Sequence, residues 1–254
     1  MSFWAEQRVP VILEKQIRIL AVVATFGCLI SVTPPMRSDD DHEAMAKEAA
    51  EQSIKAAKVF DQIMQTPDKA IPQDLLRRAK GIAVFPHVIK AAFVVGAEGG
   101  RGVVSRRTNA GWSDPVFFRA GGPSVGPQIG ASATDIVLVL MNDDAIAHLM
   151  KDRFELGADA AVAGGPVGRE AGAGTDALMH AEILSYSRSR GFFAGVNLKG
   201  VVIEPEDDLN EALYNKTARE LLVEENRKSL DTADNLHAFP QSVCRYAPGM
   251  DQSR

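Results

Sequence analysis

A chain of 254 residues, 46% apolar and 24% charged, has an ordinary globular composition and room for one large domain or two small ones. Its net charge of −5 excludes a strongly basic nucleic-acid binder. Two cysteines, Cys28 and Cys244, exclude a disulfide scaffold and a four-cysteine zinc site.

Residues 1–36 read as a signal-like or anchoring segment. Lys15 and Arg18 precede an apolar run, Ile19–Val32, which Pro34 and Pro35 break. The run is short for a membrane span, which needs about 20 residues. It has the order of an export signal, so the expectation is an exported chain, periplasmic or membrane-associated. Cys28 is a candidate lipidation site, although Thr25-Phe26-Gly27 match the usual lipoprotein pattern poorly. With the signal removed, Cys244 is a free thiol.

The segment after Ser38 predicts an amphipathic helix, placed near residues 44–65. Ser38 or Asp39 suits its N-cap. Ala49, Ala56, Phe60 and Ile63 share one face, and Lys47, Glu51, Lys55 and Lys58 lie on others. Such a helix docks on its own domain or lies on a membrane. Docking is the reading adopted, with Pro67 as the stop.

From Lys80 to Ile203 the pattern turns to strands. "GIAVFP", "AAFVVGAEGG", "RGVVSRR", "PVFFRA", "TDIVLVLMN", "ALMHAEILSYS", "GFFAGVNL" and "GVVIEP" read as separate short strands, with turns at "SRSRG" and "LKG". Ala177, Met179, Ala181 and Ile183 alternate onto one face. "DDAIAHLMKD" predicts a helix capped by Asn142 or Asp143, and "EDDLNEALYNKTARELLVEE" another. The fold class is therefore α+β: a largely antiparallel sheet or barrel-like core with packed helices, preceded by an amphipathic helix. The domain is placed at 37–226, with a polar tail at 227–254.

Catalytic motifs are weak. "GPSVG", Gly122–Gly126, fits G-x-S-x-G, but a nucleophile elbow needs a following helix; Pro127, Gly130 and a strand follow instead. A serine hydrolase using Ser124 is thus a poor reading, and Gly122–Gly126 reads as a connection between strands. The five histidines show no metal-ligand spacing, and His148 reads as a partly buried, satisfied histidine. "GAGTDA", Gly172–Ala177, fits a loose nucleotide fingerprint but precedes strand-like alternation rather than a helix. No metal, cofactor or catalytic residue is assigned.

The phrases "AKGIAVFPHVIKAAFVVGAEGGRGVV", "GWSDPVFFRAGGPSVGPQIGASATDIVLVLMN", "GADAAVAGGPVGRE" and "YSRSRGFFAGVNLKGVVIEP", in that order, resemble the SYLF domain family over roughly residues 44–223. Gly165, Pro166, Gly168 and Arg169 stand at the family's AGPxGR segment. Asn215 departs from it, where relatives often carry glycine. The resemblance implies a non-enzymatic domain, bacterial and exported in one branch, that binds lipids. Eukaryotic members bind phosphoinositides, and some yeast members bind actin. For an exported chain it implies an anionic phospholipid membrane or an envelope protein as partner.

Charge is polarised independently of that resemblance. Residues 74–119 hold eight Lys/Arg against three acids, and 203–225 hold eight acids against two bases. Arg77, Arg78, Lys80, Lys90, Arg101, Arg106 and Arg107 are the candidate lipid-binding residues. The alternative is that basic and acidic segments pair with each other. Arg169, beside glycines, is expected to pin a bend.

Overall fold

The computed structural model describes residues 39–66, 70–109, 111–167, 180–189, 192–195, 198, 200–224 and 235–248; for 39, 90–98, 123–132, 189 and 192–195 it describes the backbone alone. The signal-like segment, Arg169 and Gly168 therefore lie outside the described residues.

Helix α1 (Asp39–Met64) is docked, as its apolar stripe predicts. Ala49, Ala56, Phe60 and Ile63 are fully buried. The alanines let the helix approach the sheet closely, and Phe60 makes edge-to-face contacts with Phe239 and Tyr246, with centroids 6.3 and 5.8 Å apart. Gln52 Nε2 donates to Gly102 O at 3.1 Å.

A short helix α2 (Gln73–Arg78) leads into β1 (Gly81–Thr108), which is followed by β2 (Gly111–Trp112) and β3 (Val116–Leu140). β1 and β3 pair antiparallel from Gly81↔Leu140 to Val104↔Val116. The separate strands expected between 81 and 107, and between 115 and 142, are thus two long ones. Glycine within them does not end a strand; it admits a neighbour. A Cβ on Gly102 would enter the ring of Phe85, and one on Gly100 would lie 2.9 Å from Val88 Cγ2. Phe85 and Gly102 belong to the same strand, so the β1–β3 ribbon bends over on itself.

Pro86 and His87 form a bulge where the register shifts between Phe85 and Val88. Proline has no N–H to lose there. His87 adopts φ +52°, and its N–H donates to Asp135 Oδ1 at 2.9 Å.

Helix α3 (Asp143–Leu149) starts at the expected cap, with Asn142 Oδ1 accepting from Ala145 N–H at 2.9 Å. His148, half-buried, faces Glu182 at 3.2 Å. Then come β4 (Phe154–Glu155), β5 (Val162–Gly164), β6 (Ile183–Ser189), β7 (Phe192–Gly195) and β8 (Val202–Pro205). β6 covers the end of β3 and β8 its start. β5 on β6 is the one parallel pair among the described strands. The architecture is the expected α+β fold with a largely antiparallel, curled sheet.

Some local expectations change. β6 starts at Ile183, so Ala181 precedes the strand; Ala177 and Met179 lie outside the described residues. β6 and β7 do form a hairpin around "SRSRG". Among the described residues β7 and β8 do not pair with each other around "LKG": β8 pairs with β3 and β4. The single helix expected near 206–225 is two, α4 (Asp207–Tyr214) and α5 (Ala218–Val223), broken at Asn215 with φ +54°.

Helix α6 (Ala238–Tyr246) falls in the expected polar tail and carries Cys244. Phe239, Val243 and Ala247, four residues apart, are buried against the core. Asp61 of α1 accepts from Arg245 Nη2 at 2.9 and 3.1 Å. The fold therefore extends past residue 226.

Candidate anion-binding cleft

Between α1 and the bent ribbon lies a cleft of about 1320 Å³. One wall is the polar side of α1: Glu48, Glu51, Gln52, Lys55, Lys58 and Gln62. The buried stripe of α1 fixes which of its residues face the opening. The other wall comes from the bulge (Pro86, His87, Ile89), the glycine bend (Gly99–Arg101), β3 (Arg119–Gly122, Asp135), Arg153, Arg188 and β8. Gly122 brings β3 against the chain before β8; a Cβ there would lie 2.8 Å from Gly200 O.

Six basic side chains surround this space: Lys55, Lys58, Arg101, Arg119, Arg153 and Arg188. Four acidic ones accompany them: Glu48, Glu51, Asp135 and Glu204. At one end Arg188 donates to Gln62 and lies 3.9 Å from Asp135, which also faces His87 at 3.5 Å. At the other end Arg119 donates to Glu206 Oε1 at 2.9 Å, and Arg101 reaches the same oxygen at 2.5 Å. Arg101 also pairs with Glu48. Glu206 is the buried member, 1% exposed, whereas Arg101 is 42% and Arg119 52% exposed.

Helix α4 fixes that buried carboxylate. Glu206 N–H donates to Phe117 O at 3.0 Å, and its carbonyl accepts from Leu209 and Asn210 N–H, both at 3.0 Å. Asn210 binds the backbone of Phe117 twice, accepting from its N–H at 2.9 Å and donating to its carbonyl at 3.0 Å. Tyr214 O–H donates to Pro115 O at 2.8 Å. The acidic segment thus attaches to the start of β3 and delivers Glu206 beneath Arg101 and Arg119.

Of the seven basic residues singled out in the sequence, six have described side chains, and among those six Arg101 alone lines the cleft. Arg77 is exposed and paired with Asp74, and Arg78 Nε donates to Asp74 O at 3.3 Å. Lys80 lies 3.6 Å from Asp143. Lys90 pairs with Ser132 through the backbone, and its side chain lies outside the described residues. Arg106 donates to Leu222 O. Arg107 binds the carbonyls of Leu76, Ala79 and Pro248 and lies over Trp112, 4.5 Å from the ring centre. Burial lowers its pKa, and its contacts hold α2 and the end of α6 to the sheet. Pairing of basic and acidic segments, the alternative reading, occurs at Arg101 and Arg119 through Glu206, whereas Arg106 meets the acidic segment only at the Leu222 carbonyl.

Sequence reading missed Arg119, Asp135, Arg153, Arg188 and Glu206 as site residues. The available signal was a charge inside an apolar strand, Arg119 in "VFFRA" and Asp135 in "TDIVLVL". Ser124, by contrast, sits within β3 opposite Gly96. No strand-turn-helix elbow presents it, and the glycine-rich connection expected at Gly122–Gly126 is strand.

A family model described as "Ysc84: Las17-binding protein actin regulator" matches residues 121–243, from near the start of β3 into α6. Human SH3 domain-containing YSC84-like protein 1 is 36% identical over 172 residues, which is 66% of this chain and 50% of that protein. The domain belongs to the SYLF family. LAS seventeen-binding protein 3 of Saccharomyces cerevisiae is 35% identical over 66% of this chain and 39% of its own length. SH3 domain-containing protein PJ696.02 of Schizosaccharomyces pombe is 38% identical over 61% of this chain and 37% of its own length. The chain thus spans half or less of these SYLF relatives. The family match covers Asp135, Arg153, Arg188 and Glu206 of the cleft region, whereas α1 and β1 precede it.

Proposed function

We propose that this SYLF domain is a non-enzymatic binding module whose cleft takes the phosphate-bearing headgroup of an anionic phospholipid at a membrane surface. The observation that carries the reading is the convergence of six basic side chains, drawn from α1, β1, β3, β6 and the turn just before β4, around one opening. A basic residue near an anionic surface contributes about 1 kcal/mol, so a few together hold a domain there. Arg77, Arg78 and Lys80, exposed on and after α2, form a second basic edge. Export, read from Lys15–Val32, makes the relevant membrane one outside the cytosol.

Flotation with vesicles tests this. Binding to phosphatidylcholine–phosphatidylglycerol vesicles, absent on phosphatidylcholine alone, is expected to weaken with salt, since the screening length is about 10 Å at 0.1 M. Lys55→Glu with Lys58→Glu and Arg153→Glu is expected to abolish binding. The triple change Arg77→Glu, Arg78→Glu, Lys80→Glu reports the contribution of the second edge. Equal binding to neutral and anionic vesicles overturns the reading.

The names of the relatives favour a second reading, a protein-interaction module. On that reading the charged cleft receives a protein partner. Capture of a defined protein from membrane-free extract, with no vesicle binding, selects it. Esterase turnover lost in Ser124→Ala would contradict both.

A further inference from the structure

Resting on the cleft as ligand site, one charge balance within it goes further. Arg101 and Arg119 bring two positive charges to the same oxygen of Glu206. Glu206 supplies one negative charge, and it is buried and tied by backbone bonds on both sides. One positive charge remains on the cleft side. Glu48 of α1 neutralises it through Arg101, and Glu48 is of a different kind: its side chain is 47% exposed.

The two carboxylates therefore have separable roles. Glu206 orients the guanidiniums and has no route out. Glu48 leaves by a change of side-chain rotamer alone, because α1 stays docked through Ala49, Ala56, Phe60 and Ile63. Exposed ion pairs contribute only about 0–1 kcal/mol. A phosphate takes two parallel N–H donors from an arginine fork, a stronger charge-assisted contact. We propose that Arg101 and Arg119 are the phosphate-recognition point of the cleft, and that Glu48 is a built-in competitor that occupies Arg101 until a phosphate group displaces it. The ligand chemistry is a phosphate mono- or diester anion, from a lipid headgroup or free in solution.

The full-length protein and three single variants decide this, with two probes: inorganic phosphate by calorimetry, and phosphatidylcholine–phosphatidylglycerol vesicles by flotation. Glu48→Gln is expected to tighten binding of at least one probe about twofold to fivefold, the range an exposed ion pair allows. Glu51→Gln removes the same charge from the same helix but faces Lys55 at 3.8 Å, so it is expected to change binding less. Arg101→Lys, with its charge kept and its fork lost, is expected to bind more weakly than wild type. Tightening on vesicles alone assigns the phosphate to a lipid, and tightening on both assigns a general phosphate site. If wild type ignores vesicles while Glu48→Gln tightens on inorganic phosphate, the membrane reading fails and the competitor stands. Equal behaviour of Glu48→Gln and wild type on both probes, including no binding by either, overturns the competitor. Equal gains from Glu48→Gln and Glu51→Gln overturn it too, since they show unspecific charge.

Discussion

The phenol ring of Tyr186 fills the space that a side chain at Gly165 would need. A Cβ built on Gly165 would lie 2.1 Å from Tyr186 Cζ, and the Tyr186 hydroxyl donates to Pro166 O at 3.1 Å. Both residues are buried. Burial also pushes the phenol pKa well up, so Tyr186 stays a neutral donor at any ordinary pH. The Gly-Pro of the AGPxGR segment thus serves to seat a ring from β6 against the end of β5.

Gly165→Ala should destabilise the domain by about 1–3 kcal/mol, the usual cost of overpacking. Tyr186→Phe, which keeps the ring and removes the donor, should lose about 1 kcal/mol. Urea melts of both variants measure this. A Gly165→Ala protein as stable as wild type would show that the ring is not seated there.

Asn215 ends α4 in the left-handed region, with φ 54° and ψ 36°, and its N–H donates to Glu211 O at 2.8 Å. Only glycine, and to a lesser degree asparagine or aspartate, adopts this backbone easily. Asn215→Gly should therefore be close to wild type, and Asn215→Ala should lose about 1 kcal/mol. Equal urea midpoints for the two variants would count against the account.

Thr217 and Glu220 form a capping box at the start of α5. Glu220 Oε2 accepts from Thr217 N–H at 2.8 Å and from its hydroxyl at 2.9 Å. These bonds, the backbone one foremost, hold the Glu220 carboxyl below its ordinary pKa. A lowered folded-state pKa contributes stability that is present above the unfolded pKa and is lost as pH falls through the folded one. NMR titration should find Glu220 below the usual glutamate range. Thr217→Ala should move it upward and cost about 1 kcal/mol as a lost cap. An ordinary Glu220 titration in wild type would remove the basis for this.

Local chemistry was legible in the sequence and long-range pairing was not. The Asn142 cap and the α1 stripe are written within a few residues, and both appear where expected. Strand composition was legible too, but Gly100 read as the end of one strand and Gly102 as the second residue of another. Their reason lies in Val88 and Phe85, which meet them across the bend of β1. Arg101 was legible because it sits in a basic stretch. Arg119 needed its partner Glu206, 87 residues away, and only the β3–β8 register and Asn210 bring them together. Helix α6 was hidden because two of its four buried residues, Pro240 and Ser242, carry no apolar helical signal beside Phe239 and Val243.

Helix α1 carries both the core and the cleft, so its two faces should respond differently to substitution. Phe60 is fully buried and meets Phe239 and Tyr246 of α6. Phe60→Ala should lose about 3–5 kcal/mol through the cavity it leaves, a large share of a typical stability of about 5–15 kcal/mol. Lys58 faces the cleft two residues earlier, and an exposed charge change such as Lys58→Gln should stay within about 0.5 kcal/mol of wild type. Urea denaturation separates the two. Hydrogen exchange of Phe60→Ala should also show faster exchange in α6, because that helix loses its ring contacts along with α1. A mild loss from Phe60→Ala, with α6 exchange unchanged, would mean that α1 is not docked as described and would reopen the helix as a membrane-lying element.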